Sequence, residues 1–317
     1  MVYVCIAVAL MILLLLTPKP MTMLIRAVFE KPFARAPEGF SKMVDQVVAH
    51  TGIEYPSGAG DNLIDIYLPK GDGVFPVILW AHGGAYVSGH RHDLRIYATA
   101  LAAHGYAFVS MDYRRAPEAK YPSPVRQMGE VYQYLSAHAA ALQLNMNRFA
   151  VAGDSAGAHI AAQFALIQIN PNYAAQVGIA PVAPIDGIKA MILCCGPYDM
   201  AKIDANKNKI FNVLIRSSAW AYFGARDWRA QFKDIATIGP HVTKDFPPSF
   251  ITDANAGSFE AQARALVGAL EDQGVFVTTH YVPEGQDTIH EYQFLMDTQP
   301  AIDCFSALLA FLEMRLG

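Results

Sequence analysis

RFAVAGDSAGAHIAAQFALI, residues 148–167, decides how this chain is read. Its first part is a short apolar, β-rich run and its second an apolar run dense in alanine, so a buried strand passes into a helix across GDSAG, residues 153–157. Gly153 and Gly157, two before and two after Ser155, let such a turn close and lift the serine hydroxyl above the carboxyl end of a sheet. G-x-S-x-G also occurs in many ordinary turns; its position between strand and helix makes Ser155 a candidate nucleophile. The following helix points its first amides at the same place, where the Ala156 N–H can donate to a developing oxyanion.

On either side of this unit the pattern repeats. Apolar β-rich runs fall at residues 75–82 (FPVILWAH), 106–113, 189–195, 248–253 and 276–282, and helical stretches at 93–104, 125–142, 259–273 and 300–315. NLIDIYLP, residues 62–69, alternates polar and apolar as an exposed early strand should. Strand and helix in alternation call for a mostly parallel sheet with helices on both faces and a ligand at the carboxyl ends of the strands. Residues 196–248 break the rhythm with FNVLIRSSAWAYF, Trp220 and Trp228, and are expected to form a helical insertion in a lid or acyl pocket.

Three further segments carry chemistry. In HGGAY, residues 82–86, consecutive glycines permit a turn whose amides face inward; Gly84 and Ala85 are the candidate oxyanion donors beside Ala156, with Gly83 shaping the turn and His82 organising the loop. His290, in DTIHEYQF after the last strand, has the chain order of a general base, whereas His159, His241 and His280 fall on a helix, in the insertion and in a strand, where structural roles are expected. The acid is open among Asp253 at a strand end, Glu260 on the next helix and Asp199 in CGPYD; Asp253 could equally cap the turn ANAGS.

Composition supports one large α/β body. Of 317 residues, 53% are hydrophobic and 16% charged, which excludes a disordered chain, and a formal charge of −4 offers no basic stripe for nucleic acid. Cys5, Cys194, Cys195 and Cys304 show neither metal spacing nor a disulfide framework, and no cofactor motif is present, so reduced thiols are expected without metal or cofactor. The first sixteen residues, MVYVCIAVALMILLLL, carry no charge and span about 24 Å as a helix, which predicts a membrane anchor over residues 1–18, with a cleaved secretory signal as the rival. Lys19, Arg26, Lys31 and Arg35 then place the body on the cytoplasmic side. Met21, Leu24, Ile25, Val28 and Phe29 recur at helical spacing, giving an amphipathic helix in a cap region over residues 19–56, ahead of a catalytic body at 57–317.

Together HGGAY, DYRRAPE (residues 112–118), YPSP (121–124), GDSAG and HEYQF (290–294) resemble the hormone-sensitive-lipase-like family of esterases and lipases, over residues 62–317. The resemblance implies the α/β-hydrolase fold, carboxylic-ester hydrolysis without cofactor, a Ser-His-Asp triad, an oxyanion hole from the HGG segment and Ala156, and an N-terminal cap. It also implies that Asp112, Arg114 and Glu118 form a buried structural network. Two positions depart from the family: Ala85 stands where its HGGG pattern has a last glycine, and its D-P-L around the acid is replaced by ANAGSF, so that counting back from Gly274 puts Gly257 where the Asp would fall. TDAN, residues 252–255, matches a TDGN-type variant and favours Asp253. The expected function is a serine carboxylesterase for small apolar esters; the rivals are a ligand-binding protein that has lost turnover, and an amidase or peptidase with the same triad.

Overall fold

Alternation within the strand Phe75–Ala81 sets the layering: Val77, Leu79 and Ala81 enter one core and Ile78 and Trp80 the other, all fully buried. Residues 150–152 of the neighbouring strand divide likewise, Val151 to the first core and Ala150 and Ala152 to the second. The structure is a computed structural model describing residues 16–29, 33–205, 209–283 and 285–317. Most of the expected anchor, residues 1–15, lies outside the described residues, as do Lys31 and the side chain of Phe29. Among the described residues no helix is long and apolar enough to cross a membrane.

Eight strands build one sheet: β1 Val47–Glu54, β2 Leu63–Pro69, β3 Phe75–Ala81, β4 Ala107–Met111, β5 Leu144–Asp154, β6 Ala190–Cys194, β7 Ser249–Asp253 and β8 Val277–Tyr281. Their spatial order is β1-β2-β4-β3-β5-β6-β7-β8; β1 and β2 run antiparallel to their neighbours and the rest are parallel. The described helices are α1 Lys19–Phe29, α2 Phe40–Val44, α3 Arg95–Ala103, α4 Ser123–His138, α5 Ala156–Ile169, α6 Pro171–Val177, α7 Lys209–Phe223, α8 Trp228–Ala236, α9 Glu260–Asp272 and α10 Gln299–Leu316. Buried residues of α3 and α10 join the core of Trp80, while those of α4, α5 and α9 join the core of Leu79. Every residue of α5 is buried, which is why apolar residues occur all round it, and its polar His159, Gln163 and Gln168 are hydrogen-bonded within the fold.

The first strands differ from the sequence reading. The stretch at 62–69 is buried, not exposed, because β1 pairs outside it and Asp65 turns inward to an ion pair with Arg91 at 2.8 Å. β1 falls inside residues 19–56, so the sheet begins within the region assigned to the cap. The rest of that region supplies α1, which lies against α7 over the carboxyl ends of the strands. Arg26 pins it there, donating to the Val87 carbonyl at 2.6 Å, the Ala116 carbonyl at 2.9 Å and the Glu118 carboxylate at 2.6 Å.

Of the three residues assigned to a buried network, Asp112 is buried and bonded to the Arg91 side chain. Arg114 and Glu118 instead have side chains 37% and 43% exposed, pairing with Asp61 and Arg26, because α1 and the 60s turn reach them from the surface.

Candidate active site

Ser155 sits where β5 gives way to α5, with φ 49° and ψ −118°, a strained conformation for a residue with a Cβ. The flanking glycines make the turn possible: a Cβ at Gly157 would lie 1.9 Å from the Ala81 carbonyl oxygen, and one at Gly153 would lie 2.3 Å from Gly157. The Ser155 hydroxyl meets His290 Nε2 at 2.9 Å. Burial lowers the His290 imidazole to about 4, so it is neutral and able to accept that proton.

The HGGAY turn is folded by Gly84, whose carbonyl accepts from the Val87 and Ser88 amides at 3.0 and 2.9 Å and whose φ of 104° leaves no room for a Cβ against the Ser88 carbonyl. Among the described residues, the Gly84 and Ala85 amides make no hydrogen bond within the protein. The Gly83 amide is committed, donating to Asp154 Oδ2 at 2.8 Å, so Gly83 shapes the turn and is not an oxyanion donor. Tyr86 anchors the far end, stacking on Tyr222 at 4.0 Å and bonding His159 Nδ1 at 2.8 Å. His82 stacks on Tyr113 at 4.3 Å.

The acid side differs from expectation. No hydrogen bond joins Asp253 to His290; His290 Nδ1 meets Ser258 Oγ at 2.7 Å, and the Ser258 hydroxyl donates in turn to Asp253. Asp253 also caps its turn, accepting from the Ala254 and Phe259 amides at 2.8 and 3.3 Å. Burial pushes its carboxyl up to about 7. The alternatives are engaged elsewhere: Glu260 pairs with Arg264 at 2.6 Å, and Asp199 accepts from the Ala201 amide at 3.0 Å and pairs with Lys202 at 3.1 Å. Cys195, Asp253 and His290 offer potential metal-ligand atoms within 4.8 Å of one another, but both ring nitrogens of His290 are already bonded, to Ser155 and Ser258. Burial pushes the Cys194 and Cys195 thiols well up and keeps them protonated.

Above Ser155 and His290 lies a cavity of about 460 Å³. Ile25 and Val28 of α1, Phe211, Leu214 and Ile215 of α7, and Phe259, Ile289 and Phe294 make its wall apolar. The 196–248 insertion therefore contributes through α7; Trp228 packs on Phe223 at 5.1 Å, outside the cavity wall.

The BD-FAE family model matches residues 64–263, well over half of the chain. The chain belongs to the BD-FAE family. Its curated relatives include AB hydrolase superfamily protein C1039.03 of Schizosaccharomyces pombe, 34% identical over 108 residues, covering 34% of this chain and 32% of that protein. Esterase LipI of Mycobacterium tuberculosis is 39% identical over 92 residues, 28% of each chain, and the acetyl esterase of Salmonella schwarzengrund 33% identical over 113 residues, 35% of this chain and 34% of that one. These matches thus span about a third of each relative or less. Among solved structures, esterase B from Lactobacillus rhamnosis superposes with a TM-score of 0.78 at 20% identity, covering 94% of this BD-FAE chain and 95% of its own. An esterase from Rhizomucor miehei follows with a TM-score of 0.71 at 21% identity, covering 95% and 91%. Those superpositions show the α/β-hydrolase fold, and with the family match they bear out the resemblance to the hormone-sensitive-lipase-like esterases and lipases.

Proposed function

We propose that this BD-FAE member is a serine carboxylesterase that cleaves small apolar carboxylic esters through an acyl-enzyme on Ser155. The observation that carries the reading is the 2.9 Å contact of Ser155 Oγ with a neutral His290 at a strained strand-to-helix turn. Ser155 Oγ attacks the ester carbonyl carbon as its proton passes to His290 Nε2, and the carbonyl electron pair moves onto oxygen, held by the amides of Gly84, Ala85 and Ala156. The imidazolium returns that proton to the departing alkoxide; water then repeats the sequence on the acyl-enzyme. Asp253 is the acid of the site, and the apolar cavity takes the acyl chain.

The relatives support the reaction class, since two are named esterases, and the Lactobacillus rhamnosis esterase B has also been solved inhibited by a tributyrin phosphonate. A fluorophosphonate probe tests the assignment: one covalent adduct is expected on the intact protein and none on Ser155→Ala. An intact protein that takes no adduct and turns over no ester would overturn it. In this proposal the uncharged run at residues 1–16 holds the protein to a membrane with the body on the cytoplasmic side. Fractionation of cells expressing the full chain, beside a form lacking those residues, tests that part.

A further inference from the structure

We infer that Ser258 is a positioning residue of this site: its hydroxyl bridges His290 to Asp253, so the acid acts on the imidazole through a second serine and not by contact. The inference rests on the assignment of Ser155 and His290 above.

Donor and acceptor bookkeeping fixes the direction of the chain. An ionised Asp253 can only accept, so Ser258 gives it its one proton, and the Ser258 oxygen is left to accept from His290 Nδ1 at 2.7 Å. The imidazole is thereby held as the Nδ1–H tautomer, and Nε2 is free to accept from Ser155 at 2.9 Å. When Ser155 attacks, its proton moves to Nε2 while the protons on Nδ1 and on Ser258 stay in place. The positive ring is then stabilised by the Ser258 dipole and, one bond further out, by Asp253.

The bridge is built from both ends. Asp253, 1% exposed, is fixed by the Ala254 and Phe259 amides. Residues 254–258 are fastened to the loop carrying His290: Asn255 Oδ1 accepts from the Thr288 amide at 2.9 Å, Asn255 Nδ2 donates to the Gln286 carbonyl at 2.8 Å, and the Ala256 amide donates to the Thr288 carbonyl at 3.1 Å. Gly257, at φ 64°, turns the chain so that Ser258 faces inward. A serine that only completed a turn would not need the base's loop tied to its own.

Bridging and purely structural roles part on pH. The groups facing Asp253 are Ser258, His290, Cys194, Cys195, Tyr198 and Tyr281, and burial holds its carboxyl at about 7. With the bridge intact, kcat/KM rises in two limbs, one near 4 as His290 loses its proton and one near 7 as Asp253 ionises. Without the hydroxyl the upper limb disappears.

The test measures kcat/KM on a chromogenic butyrate ester across that pH range for the full chain and for Ser258→Ala, Ser258→Thr, Asp253→Asn, the Ser258→Ala/Asp253→Asn double variant and Ser155→Ala. Ser258→Ala is expected to lose about 100-fold or more at neutral pH and its upper limb, Ser258→Thr to recover most of both, and the double variant to be no worse than the worse single one. Ser258→Ala within threefold of the parent with both limbs kept, or single losses that multiply in the double variant, would overturn the bridge. In the unaltered protein, ¹⁵N-histidine spectra must show His290 protonated on Nδ1 at neutral pH, a readout independent of any variant's folding; protonation on Nε2 also overturns it. Turnover surviving in Ser155→Ala strikes the underlying assignment instead, so the two failures are separable.

Discussion

The carboxyl group of Glu291, the residue after His290, is hydrogen-bonded to the carboxyl group of Asp154, the residue before Ser155. The strand that leads into Ser155 and the loop that carries His290 are therefore joined one residue away from the Ser155–His290 contact. Trp80 Nε1 and the Gly83 amide donate to the two Asp154 oxygens at 2.6 and 2.8 Å, extending the joint to the HGGAY turn. Burial pushes Asp154 up to about 6 and Glu291 well above the usual carboxyl range. Two carboxyls in contact oppose each other's ionisation, so one proton is held between them until pH rises above the usual carboxyl range.

That shared proton predicts a pH dependence of stability. Both folded values lie above those of the unfolded chain, so the folded state keeps a proton that the unfolded state releases above about pH 4. The contribution is complete below the unfolded values and is lost as pH rises through the folded ones. Glu291→Gln keeps a donor to Asp154 but has no proton to lose. In denaturant unfolding it should match the parent near pH 5 and exceed it increasingly towards pH 9. Glu291→Ala leaves Asp154 short of a partner beside a void and should lose roughly 2–4 kcal/mol at neutral pH.

The HGGAY turn, proposed to hold the oxyanion, gives a sharper kinetic prediction. A Cβ at Gly84 would lie 2.2 Å from the Ser88 carbonyl oxygen, so Gly84→Ala must move the turn that carries the Gly84 and Ala85 amides. Losing one such donor costs about 100- to 1000-fold in kcat. KM should change little, because the apolar wall proposed to take the acyl chain is supplied by α1 and α7. Steady-state kinetics on one ester checks this, and a comparable rise in KM with kcat preserved would show that the turn binds substrate without stabilising the transition state.

How much of this was legible depends on what each residue needs in order to be recognised. Buried parallel strands are continuous apolar runs, so β3 to β7 and the helices α3, α4, α5 and α9 are read from pattern, and the small residues around Ser155 betray the turn once they stand between a strand and a helix. β1 carries no such signal: VVAHTGIE is mostly exposed and its place at the sheet edge comes from pairing with β2. Ser258 stays hidden because a carboxylate is sought where a hydroxyl stands, and the spacing from Gly274 points one residue short, to Gly257. Nothing in the sequence marks Glu291; only the meeting of two distant loops sets its partly buried side chain against Asp154. Of the two roles weighed for Asp253, the geometry shows the turn cap, while its carboxylate makes no direct hydrogen bond to His290.

Arg26 is the tether of α1, and its loss should separate binding from chemistry. Its guanidinium reaches the Val87 and Ala116 carbonyls and Glu118, while Ile25 and Val28 on the same helix wall the cavity. Arg26→Ala frees that wall without touching Ser155 or His290. KM for a long-chain ester should rise about tenfold, equivalent to about 1.4 kcal/mol. With an acetyl ester, which leaves most of the apolar wall unused, kcat should stay within about threefold of the parent. Equal losses on both esters would mean that α1 supports the catalytic groups themselves.

The opposite wall should set acyl length. Leu214 and Ile215 project from α7 into the cavity, and α7 is braced from behind by Asp204, which pairs with Arg216 of α7 and Arg229 of α8. That brace limits how far the helix can yield to a larger side chain. Leu214→Trp should therefore fill the cavity rather than displace its wall, and the loss should fall on long acyl chains. Each methylene denied burial costs about 0.8 kcal/mol, close to fourfold in kcat/KM, so octanoate should fall relative to acetate by 100-fold or more. Leu214→Ala should do the reverse, holding acetate constant while extending the preferred chain. A chain-length series of nitrophenyl esters on the three proteins measures the slope directly; parallel profiles, shifted only in height, would place the acyl chain elsewhere than against α7.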